Sequence, residues 1–281
     1  MKVGMNLLLW TDNPTYKEHH GLLTNIKEWG FDGVEFQIAP MAAEDIKALS
    51  NHCDELGLGR TAILAMDAAA ADPASSDKSL RDAAIEEIKK AVEKTREIGS
   101  DLLVGPIFQG LGRFTGQAPT EQEWKWAVET IRSAAEYAQQ MGVKIALEPI
   151  NRFEMYILNT VADGARFCEM VDMPNVGLLV DTHHGNIEES NTAEAWSKHA
   201  KHIFHVHISE NNRGIPGSGQ AISEDVFTTL KEINYDGWLT IEAFNGTVKG
   251  LVPRLHLWRK FAERDEDIAI LGNQFIRKHL R

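Results

Sequence analysis

Short apolar runs recur along the whole chain, and stretches with helical periodicity separate them. The runs are continuous rather than alternating, as expected for strands that are covered on both faces of a parallel sheet. Between them, apolar residues recur every three or four positions, which is typical of amphipathic helices. Eight candidate strands result, near Val3 to Leu9, Gly33 to Phe36, Arg60 to Ala65, Asp101 to Pro106, Lys144 to Glu148, Val176 to Asp181, Ile203 to His207 and Leu239 to Ala243.

The regular alternation of strands and helices indicates the α/β class with a parallel sheet. Eight such units in a chain of 281 residues predict a (β/α)8 TIM barrel. We find no Pro/Ser-rich linker and no low-complexity tract, so we expect residues 1–281 to form a single TIM barrel domain. The tail from Pro253 to Arg281 has its own charged helical pattern and predicts an additional C-terminal helical segment.

Four successive strands in the second half of the chain end on side chains that bind metal ions, namely Glu148, Asp181, His207 and Glu242. The spacings between them are 33, 26 and 35 positions, each close to one strand-helix unit. Because the carboxyl ends of barrel strands meet at one mouth, we expect these side chains to surround one point. Three carboxylates and one imidazole suit Mn²⁺, Mg²⁺ or Co²⁺. The alternative is that the strand-end acids cap helices or pair with Lys and Arg.

Charge and cysteine content narrow the classes of function. Lys and Arg total 29 against 41 Asp and Glu, and the net charge of -12 disfavours binding to nucleic acid. The two cysteines, Cys53 and Cys168, are too few for a disulfide framework and fit a reducing compartment. The apolar N-terminus is too short to span a membrane. We therefore expect a cytoplasmic protein with neither a membrane nor a nucleic acid as its partner.

Several segments resemble a known family. They are EPINRFE with NT at 159 and 160, LVDTHHGNIEE, HVHISENNRGIPGSG and INYDGWLTIEAF. In content and order they resemble the ketose 3-epimerases of the D-tagatose 3-epimerase and D-allulose 3-epimerase type, in the xylose-isomerase-like TIM barrel superfamily. The resemblance runs from about Lys144 to Phe244 and extends more loosely to GFDGVE at 30–35 and to the tail around Trp258.

The resemblance implies a metal-dependent isomerase that epimerises a free ketose at C3 through an enediolate. Carried over by position, it makes Glu148, Asp181, His207 and Glu242 the metal ligands, with Glu148 and Glu242 also transferring the protons. Two bases on opposite faces of a planar enediolate suffice for such a reaction. The family also implies a small-molecule ketose as substrate and a homodimer or homotetramer. We expect Mn²⁺ as the metal, with Co²⁺ and Mg²⁺ as alternatives.

Two groups of residues are candidates to hold the sugar, one at its reacting end and one at its distal end. Glu154, His184 and Arg213 match positions that hold substrate oxygens near the reacting end, although Glu154 could instead pair with Arg152 and His184 could be a packed histidine. In the loops after the first and fourth strands this chain departs from the family. There we take Trp10 and Phe108, with Phe114, as candidates to cover the distal end of the sugar, and the alternative is that they are core residues.

Glu35, His205 and a glycine-rich loop are three further candidates for a functional role. Glu35 ends the second strand and could add a polar contact at the barrel mouth or form an ion pair. His205 shares the inward face of its strand with His207 and is expected to support the site from behind. The glycine-rich GIPGSG at 214–219 has the composition of a phosphate loop, but it follows no strand directly and fits no dinucleotide fingerprint.

Other functions stay open at this point. Relatives in the same superfamily would isomerise hydroxypyruvate or an aldose, or dehydrate an inosose, with a similar metal site. A DNA-repair nuclease of the endonuclease IV kind shares the barrel, but it gathers more histidines and needs a basic groove. A barrel that has lost catalysis and binds a sugar or a partner protein is a third class.

Overall fold

Eight parallel strands close into a barrel in the computed structural model, which describes residues 1–281. The fold class predicted from the sequence is thus confirmed. The ten strands are β1 (Lys2–Asn6), β2 (Gly33–Gln37), β3 (Gly59–Ile63), β4 (Met66–Asp67), β5 (Leu102–Gly105), β6 (Gly110–Leu111), β7 (Lys144–Leu147), β8 (Val176–Asp181), β9 (Ile203–Ile208) and β10 (Trp238–Ile241). All except β4 and β6 belong to the barrel, which closes by pairing of β10 with β1. The short strands β4 and β6 pair with each other in loops.

Helices cover the outside of the barrel. They are α1 (Tyr16–Glu28), α2 (Ala43–Leu56), α3 (Lys78–Glu97), α4 (Glu121–Gln140), α5 (Val161–Val171), α6 (Thr182–Glu188), α7 (Thr192–Lys198), α8 (Glu224–Glu232) and α9 (Asp265–Leu280). The C-terminal helical segment expected from the sequence is present as α9. No helix combines the length and the apolar character needed to cross a lipid bilayer. One hydrophobic core joins the first strand to the last helix, from Val3 to Ile276.

Local sequence explains where several elements begin. Thr120 and Glu123 form a capping box at the start of α4, and Thr160 and Asp163 form another at the start of α5. The first apolar run is shorter as a strand than its sequence suggests. The Asn6 side chain accepts a hydrogen bond from the Leu8 amide at 2.8 Å, so Leu7–Leu9 turns into a short 3-10 helix.

Candidate active site

Four consecutive barrel strands bring the expected metal ligands together at their carboxyl ends. Asp181 ends β8 and His207 lies in β9, while Glu148 and Glu242 directly follow β7 and β10. Their ligand atoms all lie within 4.8 Å of one another. His207 Nδ1 is at the centre, 3.8 Å from Glu148 Oε1, 3.8 Å from Asp181 Oδ2 and 3.7 Å from Glu242 Oε2. All four side chains are buried.

The donor atoms of this cluster fit a divalent cation. His207 Nδ1 and Glu148 Oε1 are buried and have no hydrogen-bond partner. Burial and the neighbouring charge of Glu242 raise the pKa of Glu148 well above its usual value, and burial also raises the pKa of Asp181. Three carboxylates packed this closely are stable in ionised form only if positive charge offsets their repulsion. Oxygen donors with one imidazole form a hard ligand set that suits Mn²⁺, Mg²⁺ or Co²⁺.

Arg213 supplies a fixed positive charge beside the cluster. Its Nη1 donates to Glu242 Oε2 at 2.8 Å and to Asp181 Oδ2 at 3.3 Å. Burial would raise the pKa of Glu242, but the charges of His207 and Arg213 outweigh it and lower that pKa. The Arg213 backbone has φ 62°, a left-handed conformation that is uncommon for a residue with a side chain. Such conformations cluster where a side chain must be aimed at a functional site.

The orientation of His184 is set by its neighbour in the loop after β7. The Asn151 backbone N–H faces His184 Nδ1 at 3.1 Å and the Arg213 guanidinium faces Nε2, so both ring nitrogens have an N–H donor as neighbour. Burial and the charge of Arg213 lower the pKa of His184 well below its usual value, which keeps the ring neutral. His184 Nε2 lies 3.0 Å from Arg213 Nη2 and 3.6 Å from Glu148 Oε1. The Arg213 guanidinium and the His184 ring therefore lie side by side next to the carboxylates, a position suited to binding a ligand hydroxyl or carbonyl oxygen.

A buried carboxylate lies behind the cluster. Glu35 in β2 is fully buried, and its Oε1 lies 2.8 Å from His207 Nε2. Its Oε2 is 3.0 Å from His205 Nε2. Of the two interpretations that the sequence left open for Glu35, the structure favours the ion pair, because the side chain lies inside the barrel and does not line the cleft. His205 lies behind His207, as expected, with the two rings in an edge-to-face arrangement.

A cleft opens above the cluster. Glu148, Glu242, His184, Arg213 and Glu154 all line it. Glu154 Oε1 accepts a hydrogen bond of 2.6 Å from the Asn151 side chain, and Arg152 pairs with Glu188 instead of Glu154. The remaining walls are largely apolar, with Leu8, Ile63, Leu111, Phe244, Leu251 and Leu255 among the lining residues.

The structure does not bring the aromatic candidates to this cleft. Phe108 is fully buried and packs against Phe167 with 6.4 Å between ring centroids. Trp10 stacks on Trp29 at 6.2 Å, and Phe114 packs on Tyr156 with half of its surface exposed. Trp10 and Phe108 are thus packing residues here, because the backbone that carries them turns into the layer between strands and helices.

Sequence reasoning missed several residues that do line the cleft. Leu251, Arg254 and Leu255 lie in the turns between β10 and α9, and Gln37 ends β2. The sequence pattern predicts helical structure from Pro253 onward, but the helix begins only at Asp265 and residues 253–264 lack helix, so the pattern did not indicate that these three residues reach the cleft. Gln37, which follows GFDGVEF, could have been predicted from the sequence, because a polar residue at the carboxyl end of a barrel strand points to the mouth of the barrel.

The glycine-rich loop at 214–219 has a structural role. The fully buried Glu210 carboxylate accepts hydrogen bonds from the backbone N–H groups of Asn211, Gly217 and Ala221, at 2.9, 3.0 and 2.8 Å. These amides already bind an anion that belongs to the chain. Within the loop, the Gly214 and Ser218 amides donate to Asn212 Oδ1 and to the Ile215 carbonyl, so the amides of Gly214, Gly217 and Ser218 are all engaged within the chain and not offered to a phosphate.

Comparisons with known proteins agree with this geometry. The family model of the xylose isomerase-like TIM barrel matches residues 23–275. An L-ribulose 3-epimerase from Mesorhizobium japonicum is 32% identical over 98% of this chain and 93% of its own length. A ketose 3-epimerase from Arthrobacter globiformis is 30% identical over 100% and 97%. A solved D-allulose 3-epimerase from Methylomonas sp., in complex with D-allulose, superposes with a TM-score of 0.93 at 28% identity, covering 99% of this chain and 97% of that one. The family resemblance inferred from the sequence motifs is confirmed.

Proposed function

This chain belongs to the ketose 3-epimerases of the xylose isomerase-like TIM barrel family, and from that premise we propose that it is a metal-dependent isomerase that epimerises a ketose at C3. One observation carries the proposal. Three carboxylates and an imidazole surround one point, and the guanidinium of Arg213 and the imidazole of His184 adjoin the two glutamates of that set. This combination provides a cation site, two candidate bases and donors for sugar oxygens in one cleft.

In the proposed reaction the two glutamates act on opposite faces of the substrate. Glu148 and Glu242 follow β7 and β10, the outermost of the four strands, so they approach the central point from different sides. One carboxylate removes the C3 proton, and the electron pair of that bond passes into the enediolate. The other glutamate, as the carboxylic acid, returns a proton to C3 from the opposite face, and the carbonyl forms again. Both groups exchange protons with water before the next turnover.

Neighbouring residues hold the substrate and the charge. Glu148, Asp181, His207 and Glu242 would hold the divalent cation, which when bound supplies the positive charge that stabilises enediolate oxygens. Arg213 and His184 donate to substrate oxygens near C3, and Arg213 does so with a planar group of fixed orientation. Glu154 accepts from a substrate hydroxyl. Because these groups are already oriented by Asn151 and by the carboxylates, little reorganisation is needed when the substrate binds.

The metal and the assembly state follow from the same premise. We propose Mn²⁺ as the metal because the ligand set is rich in carboxylate oxygen. A homo-oligomer, as a dimer or tetramer, stays a prediction from the family. The nuclease alternative has less support, because the metal cluster contains a single imidazole and the chain carries a net charge of -12.

The test is isotope exchange at C3. Purified protein with Mn²⁺ is incubated in D2O with a panel of ketopentoses and ketohexoses, and NMR follows deuterium at C3 together with the appearance of the epimer. We expect at least one ketose to gain the label and convert. Protein stripped of metal serves as the control and should do neither. If no ketose gains label and no epimer forms, the proposed reaction is wrong.

A further inference from the structure

The mechanism proposed above assigns no role to Glu35, a buried carboxylate in contact with a proposed metal ligand. Glu35 lies inside the barrel, at the level of the strands rather than in the cleft, and no solvent reaches it. A carboxylate in such a position is costly unless donors surround it. Its neighbours therefore indicate what it does.

Donors from three strands surround this carboxylate. Oε1 accepts from Asn6 Nδ2 of β1 at 2.9 Å and lies 2.8 Å from His207 Nε2 of β9. Oε2 accepts from Thr61 Oγ1 of β3 at 2.8 Å and lies 3.0 Å from His205 Nε2. Both oxygens are thus engaged at hydrogen-bond distances. The group of Glu35, His205 and His207 is therefore a satisfied anion, and we do not assign it a second cation.

The contact with His207 has a consequence for the metal site. A neutral imidazole carries one N–H, and the group that accepts this hydrogen bond decides which nitrogen keeps the proton. Since Glu35 accepts at Nε2, the lone pair of the ring is left at Nδ1. That nitrogen is the atom at the centre of the three ligand carboxylates, and it has no hydrogen-bond partner.

We propose that Glu35 is a positioning residue that fixes the tautomer and orientation of His207 and thereby strengthens metal binding. A charged acceptor forms a stronger hydrogen bond than an amide and makes the ring a better electron donor. Asn6 donates to Oε1, the same Glu35 oxygen that faces His207, whereas Thr61 donates to the other oxygen, Oε2. The inference rests on the proposed function only in requiring that the four strand-end residues bind a metal ion.

The central experiment is the variant Glu35→Gln, which keeps the size of the side chain and removes its charge. The dissociation constant for Mn²⁺ is measured by calorimetric titration of metal-free protein. We expect it to rise about 10- to 100-fold, the effect typical of losing a carboxylate behind a ligating histidine. In parallel, ¹⁵N NMR of the histidine rings, recorded on metal-free protein at a pH high enough for the ring to be neutral, reports the tautomer of His207. The parent should show the proton on Nε2 alone, and the variant should show both tautomers.

Two further variants separate positioning from a structural role. Thr61→Val removes another hydrogen bond to the same carboxylate but leaves the contact with His207, so it should lower stability while metal affinity and tautomer stay as in the parent. Glu35→Asp keeps the charge but shortens the side chain, and it should fall between parent and Glu35→Gln in affinity. It also provides the measurement if Glu35→Gln does not fold.

Each outcome decides the matter. Parent-like Mn²⁺ affinity in both Glu35 variants, or an unchanged tautomer in them, would overturn the positioning role. So would equal losses of affinity in Thr61→Val and Glu35→Gln, which would indicate general destabilisation. If the parent itself binds no Mn²⁺, both this inference and the proposed function are wrong. If the affinities change as expected but no ketose is epimerised, only the proposed function is wrong.

Discussion

The assignment of two separate bases can be tested by removing them one at a time. Glu148→Gln and Glu242→Gln keep a carbonyl oxygen that can still contact a cation, but neither amide can transfer a proton at C3. A positioned general base or acid contributes about 10²- to 10⁴-fold in rate. This corresponds to about 2.7–5.4 kcal/mol of activation free energy, at 1.36 kcal/mol for each factor of ten. Because each turnover needs both groups, either variant should lose epimerisation by this amount.

No other residue in the cluster can replace the missing base. Asp181 is the third carboxylate, but Ser209 Oγ donates to its Oδ2 at 2.7 Å and the backbone amides of His183 and His184 donate to Oδ1. Arg213 also contacts Oδ2. With its lone pairs engaged in this way, Asp181 is a poor base. The loss in each glutamate variant should therefore be close to the full contribution of the base.

Isotope exchange distinguishes the two glutamates. Each of two C3 epimers is incubated separately with each variant in D2O. In Glu148→Gln, the remaining Glu242 should still exchange the C3 proton of one epimer without converting it, while the other epimer stays unlabelled. Glu242→Gln should show the opposite preference. Exchange of both epimers by either variant, or turnover within tenfold of the parent in both, would refute the two-base assignment.

Asp181→Asn is the matched control for these two variants. It makes the same change from carboxylate to amide at a ligand that has no role in proton transfer. We expect weaker metal binding and a loss of exchange that is equal for the two epimers. Metal content is measured for all three variants, so that loss of the cation is not mistaken for loss of a base.

Three other predictions follow from the geometry. Arg213→Ala should raise KM about 10- to 100-fold and leave the metal content unchanged, because it removes a charge-assisted contact with the substrate of about 1.5–3 kcal/mol. Steady-state kinetics and metal analysis test this. Phe108→Ala should lower the free energy of unfolding by about 3–5 kcal/mol in denaturant titration and leave kcat/KM near the parent value, since Phe108 is a core residue. Burial and the charge of Glu242 raise the pKa of Glu148, while the charges of Glu35 and Glu242 raise the pKa of His207 although burial opposes this. Both ligands therefore bind protons that compete with the cation. The measured Mn²⁺ affinity should rise with pH. A fall in affinity with rising pH would contradict the ligand assignment.

The ligand set was predictable because it depends on regular structure. In a parallel barrel every strand runs in the same direction, so residues at the ends of successive strands necessarily meet. Glu148, Asp181, His207 and Glu242 stand at such ends, and their spacing is that of the repeating unit. Glu154, His184 and Arg213 came from the family motifs instead, because the direction of a loop side chain does not follow from the period of a strand.

The cleft walls show where sequence reasoning fails. Gly105 ends β5 with φ 125°, a conformation that residues with a side chain rarely adopt, and a Cβ there would collide with the Leu64 carbonyl oxygen. Beyond it, Phe108 lies in the helix layer against Phe167 rather than over the cleft. Leu251 and Leu255, which lie in turns far along the chain, line the cleft instead. Neither the position of Phe108 nor that of the two leucines follows from local periodicity, since both depend on long-range packing.

The layer of side chains beneath the metal site suggests a signal that could have been used. Asn6, Glu35 and Thr61 occupy matching positions on β1, β2 and β3, because Asn6 pairs with Glu35 and Glu35 with Thr61. Barrel interiors are usually filled with branched aliphatic side chains at such positions. A polar residue inside an apolar strand of this fold must therefore find a partner across the barrel, and here the partners are His205 and His207. Polar residues at equivalent positions of neighbouring strands thus predict the support of a site, as residues at strand ends predict its ligands.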